Sequence, residues 1–188
     1  MKTLYSILKE SEQTNLPEIY LDMDGTIVDW EKGANKELVS AGYPEWNDPY
    51  WKKTYGNKAD DVARWNIINK NPKFWEQLEF FDDGLKIWNF VKKYRPSILS
   101  ACGALTKNCE KGKMNWIRMN LEPSRYINKI HLVNRADKKK YAVDKAGNKT
   151  ILIDDYIKNC VEYENAGGIA IQVTTASQVI QKLKKLGF

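Results

Sequence analysis

Two carboxylates one residue apart, Asp22 and Asp24, close a short apolar run of Ile19, Tyr20 and Leu21, and Gly25 and Thr26 follow at once. Acids in such a place hold a hard cation, attack an electrophile or carry a proton. Similar groups recur after later apolar runs. Ser100 follows "SIL", Lys138, Lys139 and Lys140 follow "HLVNRAD", and Asp154 and Asp155 follow "TILI".

If these runs are strands of one parallel sheet, all four groups gather beyond its carboxyl ends, where such sheets bind ligands. Two carboxylates about 4 Å apart repel by roughly 4 kcal/mol at an effective dielectric near 20. Such a cluster needs protons or a cation. An all-oxygen site without histidine or cysteine suits magnesium, and a divalent cation beside a lysine and hydroxyls makes a phosphate site.

The elements that must position these groups are legible in the pattern. Strand-like runs fall at 19–21, 97–99, 129–133, 150–153 and 168–173, and helical patterns at 84–94, 107–120, 156–165 and 177–186. The last four strands alternate with helices, which predicts an α/β fold: a Rossmann-like three-layer sandwich on a parallel sheet. The first strand is followed instead by some fifty residues of broken helical pattern. Of the 22 aromatic residues, 13 lie between Trp30 and Phe90, enough for this insertion to own a small core. The expected division is a core domain of 1–29 and 82–188 with a small helical cap of 30–81.

The totals fit one domain. The chain has 188 residues, 43% hydrophobic and 29% charged, and no apolar run long enough to span a bilayer. The opening "MKTLYSILKESEQ" reads as a short amphipathic helix on Leu4, Ile7 and Leu8 rather than a signal peptide. Cys102, Cys109 and Cys160 cannot pair completely and lack metal-ligand spacing, so they read as small buried residues of a reducing, cytoplasmic setting. His131, the only histidine, sits in an apparent strand and reads as structural. A net charge of +6 suits an anionic substrate such as a phosphate, a nucleotide or a nucleic-acid end.

"DMDGT", "LS", the lysine of "RADK" and "LIDD" come in the order of the four motifs of the haloacid dehalogenase superfamily of phosphatases. Between about Ile19 and Val173 the chain resembles that superfamily. The resemblance implies that Asp22 is the nucleophile, forming an aspartyl-phosphate, and that Asp24 is the general acid and base. Dehalogenase members lack an acid at the second position, so Asp24 favours phosphate chemistry.

The resemblance also implies a phosphate cradle. Met23 and Gly25 would supply loop N–H groups, Thr26 would buttress the loop, and Ser100 and Ala101 would meet a phosphoryl oxygen. Lys138 is the expected active-site lysine, with Lys139 and Lys140 as alternatives. Asp22, Asp155 and the backbone carbonyl of Asp24 would hold Mg2+, with Asp154 acting through water.

"NPKFWEQLEFFDDGLKIWNFV" and "GKMNWIRMNL" resemble the 5′(3′)-deoxyribonucleotidase and 5′-nucleotidase branch, although that branch usually carries a second hydroxyl where this chain has Ala101. Trp30, Phe74 and Trp75 would then stack on a nucleobase. The alternatives are a phosphatase for a sugar phosphate or a nucleic-acid 3′-phosphate, and a non-catalytic nucleotide-binding or interaction module.

Overall fold

The computed structural model of the chain describes residues 16–57, 59–121 and 123–188. The expected N-terminal amphipathic helix lies outside the described residues. Five parallel strands form the sheet: β1 (Ile19–Leu21), β2 (Ser97–Ala101), β3 (Ile130–Val133), β4 (Ile151–Asp154) and β5 (Ile169–Gln172). Their order across the sheet is β3-β2-β1-β4-β5. β1 is therefore central, with Leu21 opposite both Ile98 and Ile153.

The order explains the sequence pattern. β1 and β4 are flanked on both sides and buried throughout, so they read as unbroken apolar runs rather than alternating ones. The chain leaves β1 toward β2 and β3 on one side and returns to β4 and β5 on the other. The crevice between β1 and β4 is the place where such a sheet opens to a ligand.

Between β1 and β2 lie α1 (Trp30–Ser40), α2 (Tyr50–Tyr55), α3 (Asp60–Ile68), a 3-10 turn at Phe74–Glu76 and α4 (Asp82–Val91). Asp29 caps α1 by accepting from the Lys32 N–H. The helices before α4 pack through aromatic rings. Trp30 meets Trp46 edge-on, Trp46 meets Trp65, and Trp65 stacks on Trp75 at 5.8 Å. Trp51 is wholly buried among them, and one hydrophobic cluster runs from these helices to Leu21, Ile98 and Ile153 of the sheet.

Beyond β2 come α5 (Cys109–Asn120), α6 (Pro123–Tyr126), a 3-10 helix over Arg135–Tyr141, α7 (Ile157–Asn165) and α8 (Ala176–Lys185). Among the described residues, no helix is long and apolar enough to cross a membrane.

The cysteines differ from expectation. Cys102, just past β2, and Cys109, the first residue of α5, form a disulfide with their Cα atoms 5.8 Å apart. The loop between them turns back on itself, which spacing alone does not reveal. Cys160 is free and buried, and burial pushes its thiol up to about 12. His131 packs against the rings of Tyr20 and Tyr141, and burial lowers its pKa.

Candidate active site

The carboxyl ends of β1, β2 and β4 are neighbours, so the groups just beyond them meet. Asp22 follows β1, and its backbone N–H donates to Ile153 of β4. Its side chain is 8% exposed, with Oδ2 2.8 Å from Lys138 Nζ and Oδ1 buried without a hydrogen-bond partner.

Lys138 reaches this point from the 3-10 helix after β3 and is buried, while Lys140 pairs outward with Asp137 and Lys139 is exposed. Lys138 Nζ also donates to Asp154 Oδ2 at 2.7 Å. Burial pulls its ammonium down, but the Asp22 and Asp154 carboxylates outweigh that and hold it above the ordinary lysine range.

Asp154 and Asp155 are adjacent yet differ in their surroundings. Asp154 is wholly buried, and both its oxygens are engaged by Lys138, by Asn159 Nδ2 and by the Tyr156 N–H. Asp155 makes no ion pair among the described residues and lines the open cleft. Burial first, then the Asp22 and Asp154 charges, raise Asp155 to about 7. Burial, with the Asp22 charge added and Lys138 opposing, raises Asp154 to about 6.

Ligand atoms of Asp22, Asp154 and Asp155 lie within 4.8 Å of one another. Only Asp22 and Asp155 have an uncommitted carboxylate oxygen, which makes them the pair able to take a hard cation, with Asp154 behind them. An orphaned buried oxygen beside a carboxyl pushed toward neutrality fits a hard-cation site.

Gly25 has φ +71°, and a Cβ there would stand 2.3 Å from Asp155 Oδ2. The glycine is thus required by both the turn and the neighbouring acid. The loop's N–H groups are used differently from expectation. The Gly25 N–H donates to the Val28 carbonyl and the Thr26 N–H to Met23. Among the described residues no group accepts from the N–H of Met23, Asp24 or Gly103, which leaves these amides free for an anion. The Thr26 hydroxyl is buried without a partner, and main-chain bonds rather than that hydroxyl brace the loop. The Ala101 carbonyl accepts from Lys113 Nζ at 2.7 Å.

Lys113 was invisible to motif reasoning. It projects from α5, is 1% exposed, and its Nζ lies 2.6 Å from Asp24 Oδ2 and 3.0 Å from Ser100 Oγ. Its ammonium also lies 4.8 Å from the centre of the Trp75 ring. Gly112 makes this possible, since a Cβ there would meet Trp75 Cβ at 2.5 Å. A signal did exist: Cys109, Gly112, Lys113, Trp116 and Ile117 are the buried stripe of α5, at helical spacing. A lysine on a buried stripe needs a partner. Burial raises the Asp24 carboxyl above its ordinary range, with Lys113 opposing and Asp22 adding to the rise.

Asp22, Asp24, Lys138 and Asp155 floor a cleft of about 470 Å³ walled by Trp30, Trp65, Trp75, Leu105, Thr106 and Tyr156. Trp30 and Trp75 lie there as expected of a pocket, but Phe74 does not. It is buried with its ring edge against Trp65 and Trp75, because consecutive residues of the 3-10 turn point different ways. Trp65 of α3 takes the place expected of Phe74.

No family model matches the chain, and no curated protein matches it. Solved structures do match. The putative HAD-hydrolase YfnB from Bacillus subtilis, bound to magnesium, aligns at TM-score 0.60 and 12% identity over 91% of this chain and 100% of that one. A haloacid dehalogenase-like hydrolase from Streptococcus pneumoniae aligns at 0.57 and 16% identity, over 88% and 90%. The L-2-haloacid dehalogenase of Xanthobacter autotrophicus aligns at 0.55 and 11% identity, over 90% and 82%. The chain therefore has the Rossmann-like fold of the haloacid dehalogenase (HAD) superfamily hydrolases.

Proposed function

We propose that this protein is a magnesium-dependent phosphomonoesterase working through an aspartyl-phosphate on Asp22, with a nucleoside monophosphate as substrate. The observation that carries the reading is the state of Asp22. One of its oxygens is held by Lys138, the other is buried and unpartnered, and the residue lines an open cleft.

Asp22 bonds to phosphorus through one carboxylate oxygen as the ester P–O bond breaks, and Asp24 gives its proton to the departing alkoxide. Asp24 then takes a proton from water as that water attacks phosphorus and the bond to Asp22 breaks. The raised pKa of Asp24 suits a group that must carry a proton near neutrality. The free amides of Met23, Asp24 and Gly103, the Ser100 hydroxyl and Lys138 would meet the phosphoryl oxygens. Asp22, Asp155 and the Asp24 carbonyl would hold magnesium, which when bound neutralises the crowded acids and the phosphoryl charge. An acid at position 24 separates this reading from the dehalogenase chemistry of the Xanthobacter neighbour.

The substrate reading rests on the walls. Residues 30–81 act as a cap that places Trp30, Trp65 and Trp75 over the acids. A planar base is the leaving-group part that such a wall holds best, at about 1–3 kcal/mol for a stacked base. Phosphate release decides the matter, measured on ribo- and deoxyribonucleoside 5′- and 3′-monophosphates, sugar phosphates and a 3′-phosphorylated oligonucleotide. Preference for nucleoside monophosphates, abolished by EDTA and by Asp22→Asn, is the expected result. Activity confined to the other esters removes the nucleotide from the proposal, and no activity at all removes the phosphatase.

A further inference from the structure

The Lys113 ammonium has three N–H donors and three acceptors: Asp24 Oδ2 at 2.6 Å, Ser100 Oγ at 3.0 Å and the Ala101 carbonyl at 2.7 Å. No donor is left for a phosphoryl oxygen, and the Trp75 ring lies against the ammonium. Lys113 therefore acts through its partners.

Both partners are made asymmetric by it. Ser100 Oγ accepts from Lys113, so the hydroxyl proton must point elsewhere, free to donate to a phosphoryl oxygen. Lys113 occupies Asp24 Oδ2, while Asp24 Oδ1 is buried without any hydrogen-bond partner. An unpartnered buried oxygen beside a fully engaged one marks the atom that exchanges a proton with substrate.

We infer that Lys113 is a positioning residue that assigns the mobile proton to Asp24 Oδ1. The inference rests on the phosphatase reading above. In the step concerned, an Asp22 carboxylate oxygen bonds to phosphorus, the ester P–O bond breaks, and the proton on Asp24 Oδ1 passes to the alkoxide. Lys113 keeps its own protons throughout.

The test compares two esters by kcat/KM, which reports ester cleavage alone. One is the best nucleoside monophosphate. The other is p-nitrophenyl phosphate, whose nitrophenolate departs without needing a proton. Lys113→Met is expected to lower kcat/KM on the nucleotide by roughly 100-fold and on the nitrophenyl ester by less than about 5-fold, as loss of an acid's alignment requires. Lys113→Met combined with Asp24→Asn should be no slower on the nucleotide than Asp24→Asn alone.

Thermal unfolding gives a readout independent of turnover. Lys113→Met leaves the partly buried Asp24 side chain without its cation, so Tm falls, and adding Asp24→Asn recovers part of the fall. Should Lys113→Met fail to fold, Lys113→Arg serves. Its flat fork cannot reproduce three divergent N–H bonds, and the same nucleotide-selective loss is expected. Equal losses on both esters, multiplied losses in the double variant, or no recovery of Tm each overturn the inference while leaving the phosphatase standing. A wild-type protein that cleaves no ester of the panel above overturns both.

Discussion

Lys138 Nζ stands 2.8 Å from Asp22 Oδ2, with the lysine side chain 2% and the aspartate 8% exposed. This cation sits between two buried acids, Asp22 and Asp154, that could not otherwise lie so close. Lys138→Met should cost ~3–5 kcal/mol of stability, because it strands Asp22 and Asp154 as buried charges. It should also lower kcat at least ~100-fold, through lost charge neutralisation. Urea unfolding and steady-state kinetics check both. Lys139→Met, at an exposed neighbour, should change neither, and an equal effect there would refute the assignment.

The tryptophan wall predicts a selective defect. Trp30→Leu should raise KM for nucleoside monophosphates roughly tenfold while leaving KM for a small alkyl phosphate within about twofold, since one stacked base is worth ~1–3 kcal/mol. Trp30 suits the test because it is only partly buried, whereas Trp75 is 4% exposed and its loss would disturb the fold. A uniform rise across substrates would remove Trp30 from base recognition.

A pH dependence follows from the paired acids. In the metal-free protein Asp155 titrates near 7 and Asp154 near 6, against an ordinary aspartate value of 3.8. Between those values the folded chain holds more protons than the unfolded chain. Stability must therefore fall as pH rises across the window and level off above about 7. Magnesium held by these acids would compete with the same protons, so its stabilising effect should grow as pH rises. Tm measured in EDTA and in magnesium checks this, and Asp155→Asn should flatten the slope.

The Cys102–Cys109 disulfide closes a short loop that also walls the cleft at Gly103, Ala104, Leu105 and Thr106. Closing so short a loop should contribute about 2–3 kcal/mol. Under native conditions a thiol reagent should find essentially no reactive group, because Cys160 is buried with its thiol pushed up to about 12. Unfolding without reductant should release one thiol, and reduction should release three. Three thiols without reductant would show the cysteines unpaired.

Much of the fold was legible because its signals are local. β1 and β4 are short apolar runs ending in acids, and a strand buried on both faces has to look like that. The helices after β2 and β4 announce themselves by period, and the order of "DMDGT", "LS", "RADK" and "LIDD" places four chemical groups at strand ends. The α2 helix, Tyr50–Tyr55, was missed because six residues carry too little period to detect.

What the sequence by itself determined is the chemistry available: two acids around a glycine-bent turn, a paired acid downstream, a hydroxyl and a cluster of lysines. Only the tertiary structure decided which members of that set act together. It buried Lys138 against Asp22 and left Lys139 and Lys140 outside, and it used the oxygens of Asp154 so that Asp155 faces the cleft. It brought Lys113 across 89 residues to Asp24, Trp65 to the wall instead of Phe74, and Cys102 to Cys109. The physical reason is common to all of these. A residue type and its place on a strand or helix are set by neighbours in sequence, while a partner for a buried charge, ring or thiol is set by packing between elements distant along the chain.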